Sequence, residues 1–296
     1  MNIDLNDDAR AWQKTAREYA DDYLMPHEIE AELNEGVLAD EISKRNKARA
    51  IELGFTAIDV PADYGGLALS MVEQVAIWDQ LGRVTNALSW CLAEPQRWKF
   101  DACSDEQIDR YVLPMMRGEK KDCYAITESG PGSDVASIEA TAVRDGDDYL
   151  LNGEKWYVTS ANLADFFWFQ ARLPDEDDDA LFLVDRGTPG VEMIANPLFS
   201  HTYAAHHPTY RFDNVRVGAS QRVGQPGDGM GYTHSWFRHE RLMIGARSCG
   251  AAARLIEEAT GFARERIVGG EPLSEKQAIR FMLADCATEL WAARLM

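Results

Sequence analysis

The sequence predicts an α+β chain: an N-terminal α-helical domain, a central antiparallel β-barrel-like domain, and a C-terminal helical bundle that is present in part. Three observations carry this. Apolar residues recur at three- and four-residue spacing up to about residue 120. The pattern then changes to short β-prone runs separated by Asp-Gly and Asn-Gly pairs. From Gly231 a helical period returns. The domain limits this sets are 1–120, 121–230 and 231–296.

In the first domain, segments 5–24, 38–54, 70–81 and 105–116 read as amphipathic helices. Asp59-Val-Pro-Ala-Asp-Tyr-Gly-Gly66 interrupts them and reads as a loop. In the second, runs at 139–144, 148–151 and 155–159 are separated by Asp145-Gly146 and Asn152-Gly153, which predicts two tight hairpins. Runs at 166–173, 180–186, 190–194 and 209–217 continue the texture, with acidic Asp175-Glu-Asp-Asp-Asp179 expected at a solvated hairpin tip. In the third, one helix is predicted from about Tyr232 to about Ile267. Gly269-Gly-Glu-Pro272 ends it, and a second starts near Ser274. The stripe Ile279, Met282, Leu283, Cys286 and Leu290 on that helix needs apolar partners, so further helices are expected from the natural chain or its assembly.

Composition narrows the function classes. The 296 residues are 46% hydrophobic and 27% charged, which suits a globular chain with a sizeable core. A net charge of −19 argues against nucleic acid and anionic lipid as partners. No run approaches the roughly 20 apolar residues of a membrane span. The acidic N-terminus lacks the layout of a secretion signal. Five scattered cysteines without a C-x-x-C pair read as reduced thiols, and a cytoplasmic protein is expected.

Two short segments carry the chemistry. The run Cys123-Tyr-Ala-Ile-Thr127 feeds Glu128-Ser-Gly-Pro-Gly-Ser-Asp134. Gly130 and Gly132 let backbone amides approach a polar or anionic ligand, and Ser133 adds a hydroxyl. Taken alone, this is more simply an ordinary glycine–serine turn. In Lys155-Trp-Tyr-Val-Thr-Ser160, strand alternation puts Tyr157 and Thr159 on one face. An aromatic beside a hydroxyl suits a flat heteroaromatic cofactor, although core packing is the simpler explanation of this segment taken by itself.

Together the segments form Thr-Glu-x-Gly-x-Gly-Ser-Asp at 127–134, then Asn-Gly-x-Lys at 152–155, an aromatic and Thr159. This signature resembles the acyl-CoA dehydrogenases. The resemblance extends to Leu53-Gly-Phe55, Val60-Pro-Ala-Asp-Tyr-Gly-Gly66, Phe212-Asp-Asn-Val-Arg-Val217, Arg266 and Gln277-Ala-Ile-Arg-Phe-Met-Leu-Ala-Asp285. It implies FAD as cofactor. Tyr124, Ala125, Ile126, Thr127, Gly132 and Ser133 would line the flavin and its ribityl chain, and Tyr157, Val158 and Thr159 would contact the ring. Arg266 and Gln277 match positions that reach the FAD of a neighbouring subunit, which implies a homodimer or homotetramer. Ser133 also matches a position that touches CoA. The implied reaction is α,β-dehydrogenation of an acyl-CoA thioester, with electrons passed to an electron-transferring flavoprotein or similar acceptor.

In many members of that family the α-proton base lies late in the chain, beyond the residues present here. The chain is therefore expected to lack the last part of the family's helical domain. In a minority, including isovaleryl and some long-chain types, the base stands in a Glu-Arg pair on the first C-terminal helix, and Glu240-Arg241 matches it. Helical neighbours Trp236, Phe237, Met243 and Ile244 would surround Glu240 with apolar groups that raise its pKa. Pairing with Arg241 or Arg247 is the competing account. Arg241 would steer the CoA or acyl end, or hold the fold.

Two departures from the family stand out: Arg238, where many members have an Asp at the adenine end of CoA, and Gly269, where a Phe is usual. His201, His206 and His207 cluster between strands without a Cys or carboxylate at ligand spacing, so no metal is expected. His239 is expected on the surface. A flavin oxidase or monooxygenase on the same scaffold, or a non-catalytic FAD-binding subunit, remain as alternatives.

Overall fold

The computed structural model describes residues 4–91, 94–176, 178–201, 203–225 and 227–296. The helices are α1 (Asp7–Tyr19), α2 (Glu28–Leu33), α3 (Asp40–Glu52), α4 (Met71–Leu81), α5 (Arg97–Ala102), α6 (Asp105–Gln107), α7 (Leu113–Met116), α8 (Gly229–Glu265) and α9 (Gln277–Leu295). The strands are β1 (Asp122–Ala125), β2 (Thr141–Asp145), β3 (Asp148–Lys155), β4 (Phe166–Leu173), β5 (Asp178–Asp185), β6 (Val191–Ala195), β7 (Thr209–Gly218), β8 (Arg222–Val223), β9 (Ile267–Val268) and β10 (Glu271–Pro272). The α+β order expected from the sequence is thus present. The chain divides into two compact units, one of Met1–Glu30, Leu69–Ser89 and His239–Met296, the other of Ala31–Ala68 and Trp90–Arg238.

The second unit is built on one sheet, in the order β6-β7-β3-β2-β4-β5-β8, with β1 beside β4. Strand alternation sorts its side chains onto two faces. Phe167 and Phe169 join Leu151, Phe182, Phe212 and Val215 in one apolar cluster. Phe166 and Trp168 join Leu181, Leu183, Tyr111, Val112 and Met115 in another. A strand covered on both faces needs no polar alternation, and this is why Phe166-Phe-Trp-Phe169 is unbroken.

Two expectations are corrected here. The sheet does not close into a barrel and is mixed, because β1 and β2 both pair with β4 in parallel. Neither joins β4 through a tight turn, so nothing forces them antiparallel to it. Second, Asn152-Gly153 is no hairpin turn. Strand β3 runs through it, and its register against β7 shifts between Leu151 and Gly153. Gly153 has φ 142°, and a Cβ there would fall 2.5 Å from that of Ala140. The pair marks a bulge, where a glycine admits a close neighbour.

In the first unit, α1 starts at Asn6, whose side chain accepts from the Ala9 amide at 2.8 Å. It packs on α4, burying Ala9, Ala16 and Tyr19. Helix α4 opens with a Ser70–Glu73 capping box. The part of α8 in this unit meets α4 backbone to backbone. A Cβ on Gly250 would lie 1.7 Å from the Asp79 carbonyl oxygen, and one on Gly82 would lie 2.1 Å from that of Arg247. Guanidinium–carboxylate pairs join the helices: Arg254 to Glu28 at 2.5 Å, Arg83 to Glu257 at 2.5 Å and Arg294 to Asp79 at 2.9 Å. Burial pushes the Asp79 carboxyl up, and Arg294 only partly offsets it. On α9, Phe281, Met282 and Trp291 are more than half exposed. No helix among the described residues is long and apolar enough to cross a membrane.

Candidate functional site

The loop that follows β1 is tied down by a buried ion pair. Lys155, at the end of β3, is 0% exposed. Its Nζ donates to Glu128 Oε1 at 2.6 Å and to the Ile126 carbonyl at 3.1 Å. Glu128 also accepts from the backbone amides of Glu139, at 2.6 Å, and Ala140, at 3.0 Å. Burial lowers the Lys155 pKa to about 8, although Glu128 draws it back toward the ordinary value. Every polar atom of this pair is satisfied, the condition on which a buried charge pair is tolerable. Between its anchors the loop presents Gly130, Gly132 and Ser133 to open space. A Cβ on either glycine would have no heavy atom within 4 Å.

Ala125 and Ile126 are buried, and Tyr124 is stacked on Trp236 with ring centroids 3.9 Å apart and planes 5° apart. The Tyr124 hydroxyl pairs with that of Thr233 at 2.8 Å, and burial raises its pKa.

Segment 156–160 is not a strand, which corrects the alternation expected for it. The Trp156 amide donates to the Thr127 carbonyl at 2.8 Å and the Val158 amide to that of Pro208 at 2.9 Å. Between them Tyr157 adopts φ 52°, an uncommon setting for a bulky side chain. This turns its ring outward, 52% exposed, while Val158 is fully buried. Thr159 Oγ1 lies 2.9 Å from His207 Nδ1. Tyr124–Thr127, Gly132, Ser133 and Tyr157–Thr159 therefore all stand on backbone tied together by Lys155 and the Trp156–Thr127 bond.

The remaining candidates, Glu240, Arg241, Arg266 and Gln277, fall in the other compact unit. Glu240 is half-buried on α8, with Met243 buried and Ile244 49% exposed. Arg241, Arg266 and Gln277 are exposed. Arg238, exposed as well, donates to Ser235 Oγ at 2.9 Å. Gly269 stands in the β9–β10 turn with φ 68°. His239 is 8% exposed and edge-on to Trp78, so the surface position expected for it is corrected. It points opposite to solvent because that side of α8 carries Met243 and Ala246 into the core.

The anchoring role of Glu128 and Lys155 is not written in the spacing of their motifs, and the pairing of Thr159 with His207 joins residues far apart in the sequence. No group of three potential metal ligands forms among the described residues.

Profiles of three acyl-CoA dehydrogenase domains match the chain: the N-terminal domain over residues 6–119, the middle domain over 123–215 and the C-terminal domain over 227–296. Benzylmalonyl-CoA dehydrogenase of Aromatoleum aromaticum is 32% identical, over 99% of this chain and 78% of its own length. Subunit CarC of the caffeyl-CoA reductase–Etf complex of Acetobacterium woodii is 30% identical, over 96% of this chain and 76% of its own. An acyl-CoA dehydrogenase of Bacillus anthracis solved in complex with FAD has a TM-score of 0.86 at 25% identity, over 98% of this chain and 50% of that one.

Proposed function

The chain belongs to the acyl-CoA dehydrogenase family, and on that premise we propose that it removes hydrogen from the α and β carbons of an acyl-CoA thioester, using FAD. The observation that carries this reading is the loop held by Glu128 and Lys155, with Gly130 and Gly132 open on its outer side. Such a loop lets backbone amides and the Ser133 hydroxyl approach a diphosphate or ribityl chain closely. The 52%-exposed ring of Tyr157 offers an aromatic surface next to it, so the residues present fit a flavin. When bound, FAD supplies the hydride acceptor at N5. The chain's own residues do the rest. Tyr124, Ala125, Ile126, Thr127, Gly132 and Ser133 hold the cofactor, and Tyr157, Val158 and Thr159 bound its ring.

Glu240 takes the α-proton. Glu240 stands half-buried on α8 with Met243 one turn away, and a general base needs a carboxylate placed close to the proton it takes. Arg241 and Ser133 bind the CoA thioester. Arg238 adds a cation where many relatives have a carboxylate, which changes the grip on the nucleotide end of the substrate. Arg266 and Gln277 reach the FAD of a second subunit in a homodimer or homotetramer, and an electron-transferring flavoprotein takes the electrons. Residues 1–120, 121–230 and 231–296 form the family's three domains.

Anaerobic addition of an acyl-CoA panel, read by flavin absorbance, tests this. At least one thioester bleaches the flavin, and Glu240→Gln keeps FAD while slowing bleaching by about 10²- to 10⁴-fold, the usual worth of a positioned general base. A protein that holds no flavin, or a Glu240→Gln variant reduced at the wild-type rate, refutes the respective claim.

A further inference from the structure

Thr159 is connected to the surface through two imidazoles. His207 Nδ1 lies 2.9 Å from Thr159 Oγ1, and His207 Nε2 lies 3.1 Å from His201 Nε2. Both nitrogens of His207 are thus engaged, and His201 is exposed. Phe199 braces the pair, stacked on His201 at 5.3 Å and edge-on to His207 at 5.1 Å. His206 takes no part in the line, its Nδ1 lying 2.8 Å from Asn196 Nδ2. Burial, then the charges of His201 and His206, hold His207 below the ordinary imidazole pKa. At pH 7 its ring is neutral, with one donor and one acceptor nitrogen. A hydroxyl followed by two hydrogen-bonded imidazoles can pass a proton without displacing a heavy atom.

We propose that Thr159, His207 and His201 form a proton wire that carries a proton from the flavin edge to solvent when the reduced enzyme is reoxidised. This rests on the reading that Thr159 contacts the flavin. The substrate loses two hydrogens: Glu240 takes the α-proton, and bound FAD would supply the acceptor for the other hydrogen with its two electrons. Once a flavoprotein acceptor has taken both electrons, one proton remains to be shed. Thr159 Oγ1 takes this proton and gives its own to His207 Nδ1. His207 Nε2 passes a proton to His201 Nε2, and His201 releases one from Nδ1 to water. One proton enters the line and one leaves it.

The test separates the two half-reactions. FAD-replete wild type, His207→Ala and His201→Phe are reduced anaerobically with an acyl-CoA, then mixed with ferricenium, a one-electron acceptor, and followed by flavin absorbance. In His207→Ala, reoxidation slows about a hundredfold, the low end of what a positioned proton-transfer group contributes, while reduction changes less than about twofold. Added imidazole restores the rate. His201→Phe, altered at an exposed position, slows reoxidation less and keeps the test alive should His207→Ala fold poorly. Reoxidation at the wild-type rate in an FAD-replete variant, equal slowing of both half-reactions, or no response to imidazole overturns the wire alone. Wild type that binds no FAD, or that no acyl-CoA bleaches, overturns the parent reading as well.

Discussion

The candidate residues at 124–134 and 155–160 are held quite differently from those at 266–277. The first group sits on backbone fixed from within. Lys155 grips both the Ile126 carbonyl and Glu128, and the Trp156 amide grips the Thr127 carbonyl. The second group has ordered backbone and exposed side chains. Leu273 donates to the Arg266 carbonyl at 2.7 Å, and Arg266 and Gln277 are exposed. A surface that must present amides at fixed positions needs a rigid shell beneath it. Long side chains that reach toward another molecule need only a firm base, which is the role proposed for Arg266 and Gln277.

The contrast can be broken most forcefully at Lys155. Lys155→Met strands Glu128 as an unpaired buried carboxylate, at a cost of about 3–5 kcal/mol. Urea unfolding registers the loss, and FAD is released; full FAD content at wild-type stability would mean the pair anchors nothing. Gly250→Ala acts next, in the helical unit, by forcing a Cβ against the Asp79 carbonyl. It costs about 1–3 kcal/mol as an overpacking change, read as a lower denaturation midpoint. Tyr157→Gly sharpens the picture in the opposite direction. It removes a bulky side chain from a left-handed conformation, gaining stability of about 1 kcal/mol while weakening FAD binding, so thermal melting and flavin titration should move apart. The smallest effect belongs to Arg266→Ala, which changes stability by less than about 0.5 kcal/mol. Its FAD loss should appear only on dilution, as an assembly dissociates, and gel filtration with flavin absorbance follows both.

Much of the architecture was legible because it is written locally. Helix periodicity located α3, α4, α8 and α9, and short β-prone runs located β4, β5 and β7. The Asn152-Gly153 pair misled because the same dipeptide serves a turn and a bulge, and only the neighbour at Ala140 decides between them. The parallel pairing of β1 with β4 joins residues 122–125 to 166–169, a contact that no local pattern encodes. At the site, composition located the glycine loop, whereas the outward turn of Tyr157 depends on bonds from its neighbours to Thr127 and Pro208. His207 was visible as a residue but not as a partner, since 48 positions separate it from Thr159.

The enclosure of Lys155 also gives the loop a chemical clock. An amine-acylating reagent can reach Lys14, whose side chain is 78% exposed, in the folded protein at all times. It can reach Lys155, which is 0% exposed, only during an opening of the 126–140 segment. Mass spectrometry of that one lysine, sampled over time, therefore reports how often the segment lifts. Occupancy of the site lengthens the interval between such events, because a ligand that binds only the closed form withdraws the open one from the equilibrium.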